Sequence, residues 1–213
     1  IDPEKDFIFD NYNGSGTTMV EAKIAGFSSA GIDINPFGVL AANVKTYNYD
    51  VDLLKDITST LFMKIKSVDM ADGQMNFLVA EDLSKLDIQG IEDINKRIYF
   101  EFPDVDKWFD EDIIRQLSII KYFILSMHKG KYRDFFALGF FAIIRRVSRA
   151  HDAEVRPHVN PKKRKRDAIS AFEKKINEMI STMSAWNAVT SKDIVSQTEI
   201  CDNSSLEDVC GFI

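Results

Sequence analysis

Cysteine is scarce in this chain of 213 residues, which contains only two, Cys201 and Cys210. Their number and spacing fit neither a secreted disulfide scaffold nor a cysteine metal site, so we expect a reducing, cytoplasmic location. Long apolar runs are also lacking. The longest, Phe135 to Ile144, is about half of the roughly 20 residues that a membrane-crossing helix needs, and no signal-peptide pattern opens the chain. The sequence therefore predicts a globular protein with no membrane partner.

The chain has fewer basic than acidic residues, 27 against 33, which gives a net charge of −6. Its basic residues are concentrated in residues 145–166, which we call the basic segment. Nine Lys and Arg stand there against two acids, so the segment carries +7 and the rest of the chain −13. This segregation predicts a surface for a polyanion. The nine are Arg145, Arg146, Arg149, Arg156, Lys162, Lys163, Arg164, Lys165 and Arg166. The alternative is a solvated loop between helices, in which Arg145 and Arg149 bond helix carbonyls or acids. His151 and His158 are seven apart without further ligands at suitable spacing, so no metal site is predicted.

Two short apolar runs, at residues 7–11 and from Ser28 onwards, are typical of buried parallel strands. The residues between them predict a helix from Thr17 to Ala25, which Gly26 ends in a left-handed conformation. Strand, glycine turn, helix and strand together form a βαβ unit, so the fold class is α/β. A mostly helical pattern follows over residues 36–70, and the segment near Met75 predicts a strand or a sheet edge.

Apolar residues at spacings of three and four predict three further helices. The first begins at Asp110 and ends at Gly130. The second spans residues 132–147 and is apolar nearly all round, so we expect it to be buried between its neighbours, and the third begins at Asp167. A strand over residues 193–202 comes last. We therefore predict a βαβ portion over residues 1–70, a mainly helical insert over 71–190 and a returning strand over 191–213.

The turn Gly14-Ser15-Gly16 lies between a strand and a helix, where the backbone often holds a small ligand. A P-loop is excluded because no lysine follows, and a dinucleotide fingerprint is weakened because Met19 replaces its third glycine. Asp33 lies 19 residues after Gly14, close to the offset of an acid that binds ribose hydroxyls. Asp10 would repel a pyrophosphate and attract an ammonium group. S-adenosylmethionine has an ammonium group, a carboxylate and a ribose, and it fits this set.

The stretch "DNYNGSGTTMVEAKIAGFSSAGIDINPFGVLAANVKT", residues 10–46, resembles the cofactor motifs of DNA amino-methyltransferases, which methylate adenine N6 or cytosine N4. The resemblance implies a partial Rossmann-like methyltransferase sheet with an all-helical insert, S-adenosylmethionine as cofactor and DNA as partner. It implies that Asp10 faces the methionine amino group, that Asp33 binds the ribose, and that Ile34 and Asn35 border the adenine. The methionine end would be held by Gly14, Ser15, Gly16, Thr17 and Thr18.

The sequence departs from the family pattern at Asn11 and Tyr12, which stand where the family has Pro-Phe; Tyr12 keeps an aromatic ring in the cofactor site. The segment "EICDNSSLEDV" resembles the third motif of the family, whose acid, here Asp202, would bond the adenine amino group. Asp82 is the rival position, and Asp202 is favoured because it lies where the next strand of the family begins. With DNA as partner, the nine cations of the basic segment are expected to contact phosphates.

Adjacent prolines are lacking, since the five prolines are all separate. The family uses Asp/Asn/Ser-Pro-Pro-Tyr/Phe to accept the hydrogens of the target amino group and to stack on the flipped base. We therefore assign no catalytic residue and expect the chain alone to be inactive. It is then a truncated piece, a part that a second polypeptide completes, or a degenerate binder. The alternative functions are an RNA guanine-amino methyltransferase and a non-catalytic nucleic-acid-binding module. A restriction-modification context is implied by the family alone.

Overall fold

The computed structural model describes residues 2–3, 6–69, 102–152, 154, 156 and 158–202. This part of the chain forms seven helices and a three-stranded parallel sheet, so the predicted α/β class is confirmed. The predicted strand near Met75 and the rival acid Asp82 lie outside the described residues. The chain divides into two compact units, one made of residues 1–51 and 180–213 and the other of residues 52–179.

The first unit contains the sheet. Its elements are strand β1 (Ile8–Asp10), helix α1 (Thr17–Ile24), strand β2 (Ser29–Asp33), helix α2 (Pro36–Thr46) and strand β3 (Ser196–Ile200). The strands lie in the order β1-β2-β3 and run parallel, with Asp10 opposite Gly31 and Asp33 opposite Ile200. The predicted βαβ unit is confirmed, and the strand predicted over residues 193–202 is shorter than expected.

The central strand β2 is buried from Ser29 to Ile32, and polar groups beside it are paired. The hydroxyls of Ser29 and Ser196 form a buried hydrogen bond of 3.0 Å between β2 and β3. On the other side of β3, the Asn43 side chain donates from Nδ2 to Thr198 O at 2.8 Å and accepts at Oδ1 from Thr198 N–H at 2.9 Å. A side chain of α2 therefore satisfies both backbone groups of Thr198.

The ends of α1 and α2 follow the sequence signals. Asn35 caps α2, because its Oδ1 accepts from the Phe37 N–H at 3.0 Å, and Pro36 follows at the first helical position. Gly26 has a φ of 86°, as predicted for the residue that ends α1. Lys23 is buried and donates from Nζ to Thr46 O at 2.7 Å, which joins α1 to the end of α2. Burial lowers the pKa of the Lys23 ammonium group.

The second unit is helical. It contains most of α3 (Val51–Asp69), then α4 (Val105–Trp108), α5 (Glu111–Leu125), α6 (Lys131–Val147) and the first half of α7 (Ala168–Val189). The predicted apolar stripes are buried, for example at Ile113, Leu117 and Ile120 on α5. Asp167 accepts from the Ser170 N–H at 2.7 Å and so caps α7 as predicted. None of the described helices is long and apolar enough to cross a membrane.

Helix α6 differs from the expectation of a helix buried on all sides. Phe135, Phe136 and Ile143 are buried, but Phe141 is 49% exposed, and Arg145 at the end of the helix is exposed as well. Within the part of the chain that the structure describes, α6 is therefore buried on one face and keeps some apolar residues at the surface.

Candidate functional site

Strands β1 and β2 end side by side, and the glycine turn lies at their carboxyl ends. Because the two strands are parallel, Asp10 at the end of β1 and Asp33 at the end of β2 reach the same edge of the sheet. The Asn13 N–H donates to Ile32 O at 3.0 Å, and the Gly16 N–H donates to Asn13 O at 2.9 Å. Backbone hydrogen bonds therefore hold the turn against β2, and the two predicted acids border it.

The carboxylate of Asp33 holds two backbone N–H groups. Its Oδ2 accepts from the Gly14 N–H at 2.7 Å, and its Oδ1 accepts from the Asn35 N–H at 2.8 Å. The sequence predicted a ligand role for Asp33 but not these bonds. An ionised carboxylate has about four acceptor positions, so about two remain for the hydroxyl groups of a ligand.

The two glycines of the turn adopt left-handed backbone conformations, with φ of 53° at Gly14 and 84° at Gly16. Gly16 occupies the N-cap position of α1, and no side chain among the described residues caps that end of the helix. The first N–H groups of a helix have no partner within the helix and attract negative charge. Thr17 and Thr18 lie exposed at the same place. The turn and the start of α1 therefore suit a carboxylate or another anion.

Helix α2 packs directly on the turn at two small residues that the sequence analysis missed. A Cβ added to Gly38 would lie 2.6 Å from Gly14 O, and a Cβ added to Gly16 would lie 2.5 Å from the Cβ of Ala42. Both distances are too short for any larger side chain. The available signal was the spacing of Gly38 and Ala42, since residues four apart share one face of a helix.

Three large apolar side chains are exposed near this edge: Tyr12 at 75%, Ile34 at 69% and Phe37 at 46%. Exposed apolar side chains beside a polar turn are typical of ligand sites. Tyr12 and Ile34 belong to the predicted set, whereas Phe37 was missed. Asn35 also belongs to that set, and here its side chain caps α2.

Two further contacts concern Asp10 and Ser15. Asp10 accepts from the Tyr12 N–H through Oδ1 at 3.0 Å, which leaves its Oδ2 without a hydrogen bond to the described residues. The carbonyl of exposed Ser15 accepts from Lys45 Nζ at 2.8 Å. Lys45 was also missed by the sequence analysis, and it adds a positive charge beside the turn.

Asp202 lies just after the end of β3, in a position that corresponds to that of Asp33 at the end of β2. The Cys201 N–H donates to Asp33 O at 3.2 Å, so the backbone just before Asp202 lies against the end of β2. Three acids, Asp10, Asp33 and Asp202, therefore lie at the carboxyl ends of three neighbouring strands. This is the edge at which α/β sheets bind their ligands.

The basic segment belongs to the second unit, and its described residues are joined by hydrogen bonds. Ala150 pairs with Val159 in an antiparallel bridge, and the Asn160 N–H donates to Arg149 O at 2.8 Å. Lys163 joins the ends of this hairpin, because Nζ donates to Arg145 O at 2.9 Å, to Ala150 O at 2.8 Å and to Asp152 Oδ1 at 2.6 Å. The Lys163 side chain is only 6% exposed. All three ammonium hydrogens of Lys163 are thus used within the protein.

Four more of the nine cations also bond within the unit. Arg145 donates to the carbonyls of His151 and Glu154, Arg149 pairs with Asp110, Lys165 pairs with Asp112 at 2.6 Å, and Arg166 lies 3.6 Å from Asp152. The hydrogen bond from Lys163 lowers the pKa of Asp152, and the bond to Asp112 raises the pKa of Lys165. Arg149 pairs with an acid, as in the alternative considered for it, whereas the two carbonyls that Arg145 bonds lie outside the helices.

The other four cations are exposed, and their side chains form no hydrogen bond or ion pair within the described residues. They are Arg146, Arg156, Lys162 and Arg164. The rings of His151 and His158, which belong to the same segment, stack on each other with centroids 5.2 Å apart. The carboxylate of Glu154 lies 3.0 Å from His158 Nδ1. Among the described residues, no three His, Cys, Asp or Glu side chains are grouped so that they could hold a metal ion.

Two known proteins are similar to this chain. The type II methyltransferase M.MjaII of Methanocaldococcus jannaschii is 35% identical over 129 residues, which are 59% of this chain and 23% of that protein. The type II methyltransferase M.MvaI of Kocuria varians is 26% identical over 154 residues, 72% of this chain and 30% of that protein. The chain spans less than a third of either relative. No family model and no solved structure matches it. The chain is thus distantly and partially similar to type II methyltransferases.

Proposed function

We propose that the first unit is the S-adenosylmethionine-binding part of a DNA amino-methyltransferase, an enzyme that methylates the exocyclic amino group of adenine or cytosine. The observation that carries this proposal is the carboxylate of Asp33. It holds the N–H groups of Gly14 and Asn35 and keeps acceptor positions for a ligand at the edge where parallel sheets bind nucleosides. The partial similarity to two type II methyltransferases supports the same function.

The residues at this edge fit the chemical groups of S-adenosylmethionine. The uncapped start of α1 suits its carboxylate, and the unbonded Oδ2 of Asp10 suits its ammonium group. The ribose hydroxyls have acceptors on Asp33. Exposed Ile34 and Phe37 offer apolar contact to the adenine, and the adenine amino group would donate a hydrogen bond to Asp202. S-adenosylmethionine supplies an electrophilic methyl group when it is bound, and the residues of this chain bind and orient it.

The proposed methyl acceptor is an amino group on DNA, and the second unit is proposed to contact DNA through the basic segment. In this proposal, residues 71–190 form a helical insert in a Rossmann-like methyltransferase fold. No two prolines of the chain are adjacent, so the Pro-Pro-Tyr/Phe motif would come from a segment outside these residues or from a second polypeptide. Methyl transfer by the completed enzyme, measured with duplex DNA and with transfer RNA, separates the DNA enzyme from an RNA guanine-amino methyltransferase.

The cofactor site is tested by calorimetric titration with S-adenosylhomocysteine. Asp33→Asn is preferred to Asp33→Ala, because the alanine variant leaves both backbone N–H groups without their acceptors, whereas the amide leaves only one of them. The amide keeps the shape and one oxygen but removes the charge and half of the acceptors. A hydrogen bond to a charged group contributes about 1.5–3 kcal/mol, so we expect binding to weaken by about 10- to 150-fold.

Asp193→Asn is the matched control, because Asp193 is an exposed acid of the same unit that lies before β3, at the opposite end of the strands. This control should bind S-adenosylhomocysteine as the unchanged protein does. Equal affinity of Asp33→Asn and the unchanged protein would remove Asp33 from the ligand site. Absence of binding to the unchanged protein at millimolar ligand would contradict the proposed function.

A further inference from the structure

We infer that Arg146, Arg156, Lys162 and Arg164 form a preformed contact surface for the phosphate backbone of duplex DNA, and that the other five cations of the basic segment hold this surface in shape. The choice of DNA rests on the proposed function. The division of the nine cations rests on the contacts within the second unit.

The described residues of the basic segment are held together by hydrogen bonds. The nearly buried side chain of Lys163 donates to three acceptors, on Arg145, Ala150 and Asp152. The bridge between Ala150 and Val159 pairs the two sides of the hairpin. Arg166 bonds Arg146 O at 3.4 Å, which joins the end of the segment to α6. A surface that is ordered before binding avoids the entropic cost of ordering on contact.

The acids near the segment are already paired within the second unit. Asp152 pairs with Lys163, Asp112 pairs with Lys165, and Asp110 pairs with Arg149. Glu154 lies against the stacked histidines. Because each of these acids already has a partner among the structural cations or histidines, the four exposed cations keep their charge for an external anion.

The residue types of the basic segment favour double-stranded over single-stranded nucleic acid. Residues 145–166 contain no Phe, Tyr or Trp, so the segment has no aromatic platform on which single-stranded bases could stack. Cations without such a platform suit a regular array of phosphates, and contacts of this kind fix position without reading sequence. The duplex backbone is therefore the ligand that these four residues fit, and recognition of a particular DNA site is left to other residues.

The salt dependence of DNA binding measures this surface directly. For B-form DNA, log K falls with log of the salt concentration by about 0.9 for each neutralised phosphate, so four contacts contribute a slope of about −3.6. We would measure fluorescence anisotropy of a labelled 20-base-pair duplex between about 50 and 200 mM NaCl. The test variant carries Arg146→Gln, Arg156→Gln, Lys162→Gln and Arg164→Gln in the full chain.

The matched control changes net charge equally at lysines outside the segment whose side chains form no hydrogen bond or ion pair within the described residues. It carries Lys121→Gln, Lys129→Gln, Lys174→Gln and Lys192→Gln. We expect the slope of the test variant to fall in magnitude by about 3 to 4, and that of the control to change by less than about 1. Thermal melting of both variants checks that they fold.

Three results would overturn the inference. One is equal slopes for the test variant and the control, which would mean that net charge alone attracts DNA. Another is a lack of DNA binding by the unchanged chain at about 50 mM salt. The third is tighter binding of duplex RNA than of duplex DNA, with the same loss in the test variant. Calorimetry with S-adenosylhomocysteine, run on the same samples, reports separately on the cofactor site, so a failure there is distinguished from a failure of the DNA surface.

Discussion

Replacement of Gly38 by alanine tests whether the contact between α2 and the glycine turn positions the ligand site. Gly38 lies inside a helix, where alanine is ordinarily more stable than glycine by about 0.8–1.0 kcal/mol. Here, however, the new Cβ would lie 2.6 Å from Gly14 O and 3.1 Å from Gly14 C, and both are backbone atoms. Restoring an ordinary contact of about 3.4 Å requires the turn and the helix to separate by about 0.8 Å. Overpacking of this kind costs about 1–3 kcal/mol, which exceeds the gain in helix propensity.

If the turn takes up this movement and Asp33 does not follow, the 2.7 Å bond between the Gly14 N–H and Asp33 lengthens to as much as about 3.5 Å, outside the usual range of hydrogen-bond lengths. We therefore expect Gly38→Ala to lower the stability of the protein by about 0–2 kcal/mol and to weaken S-adenosylhomocysteine binding by about tenfold, since 1.4 kcal/mol corresponds to a factor of ten. Calorimetric titration and thermal melting measure the two effects.

Gly31→Ala is a useful comparison, because its Cβ would meet the side chain of Asn13 at 2.9 Å rather than backbone. Adding Asn13→Ala should relieve part of that clash, because it removes Cγ and Oδ1 and leaves only the Asn13 Cβ at 3.0 Å, whereas no side-chain truncation can relieve the clash at Gly38. If Gly38→Ala raised the melting temperature and bound the ligand normally, the reasoning about the close approach would be refuted.

Two further predictions concern buried ammonium groups. Lys163→Met should lower the stability of the protein by about 1–3 kcal/mol, because it leaves the carbonyl of Ala150 without its donor and Arg145 O with only the Ser148 hydroxyl, and because it removes the ion pair with Asp152. Urea unfolding measures this change, and faster hydrogen exchange over the hairpin than in the unchanged protein should accompany it. An unchanged stability would mean that the Lys163 bonds are dispensable. Lys23 has a lowered pKa in the folded state, so between that pKa and the ordinary lysine value the unfolded state binds more protons, and stability from this group rises with pH. The gain in unfolding free energy from pH 7 to pH 10 should be larger for the unchanged protein than for Lys23→Met, and equal pH dependence in the two proteins would contradict the burial argument.

Local patterns in the sequence were sufficient for the elements that surround the turn. Apolar runs predicted β1 and β2, and Gly26 predicted the end of α1, because each of these signals acts on residues next to it in the chain. The acids at the strand ends were placed at one edge by the same reasoning, since parallel strands that follow one another through a helix end on the same side.

The features that the sequence did not predict depend on contacts between distant residues. Gly38 is constrained by the carbonyl of Gly14, and nothing near Gly38 in the chain reports that approach. Lys163 lies within a run of five cations and looks like its neighbours, but backbone carbonyls of Arg145 and Ala150 surround it. Side-chain patterns carry no information on which carbonyls a folded hairpin leaves without partners. For the same reason the sequence did not predict that Asp33 holds the backbone N–H groups of Gly14 and Asn35.

The bonds between Asn43 and Thr198 make the two edges of the sheet unequal. On β3 the backbone groups of Thr198 are already occupied by a side chain. On β1 the Ile8 N–H donates towards β2, so the backbone groups of Phe9 point the other way, and no described strand pairs with them. Phe7 and Phe9 are 46% and 37% exposed along this edge. Within the described residues, the β1 edge therefore leaves backbone groups open to pair with another strand, and this is the edge of the sheet at which self-association is expected.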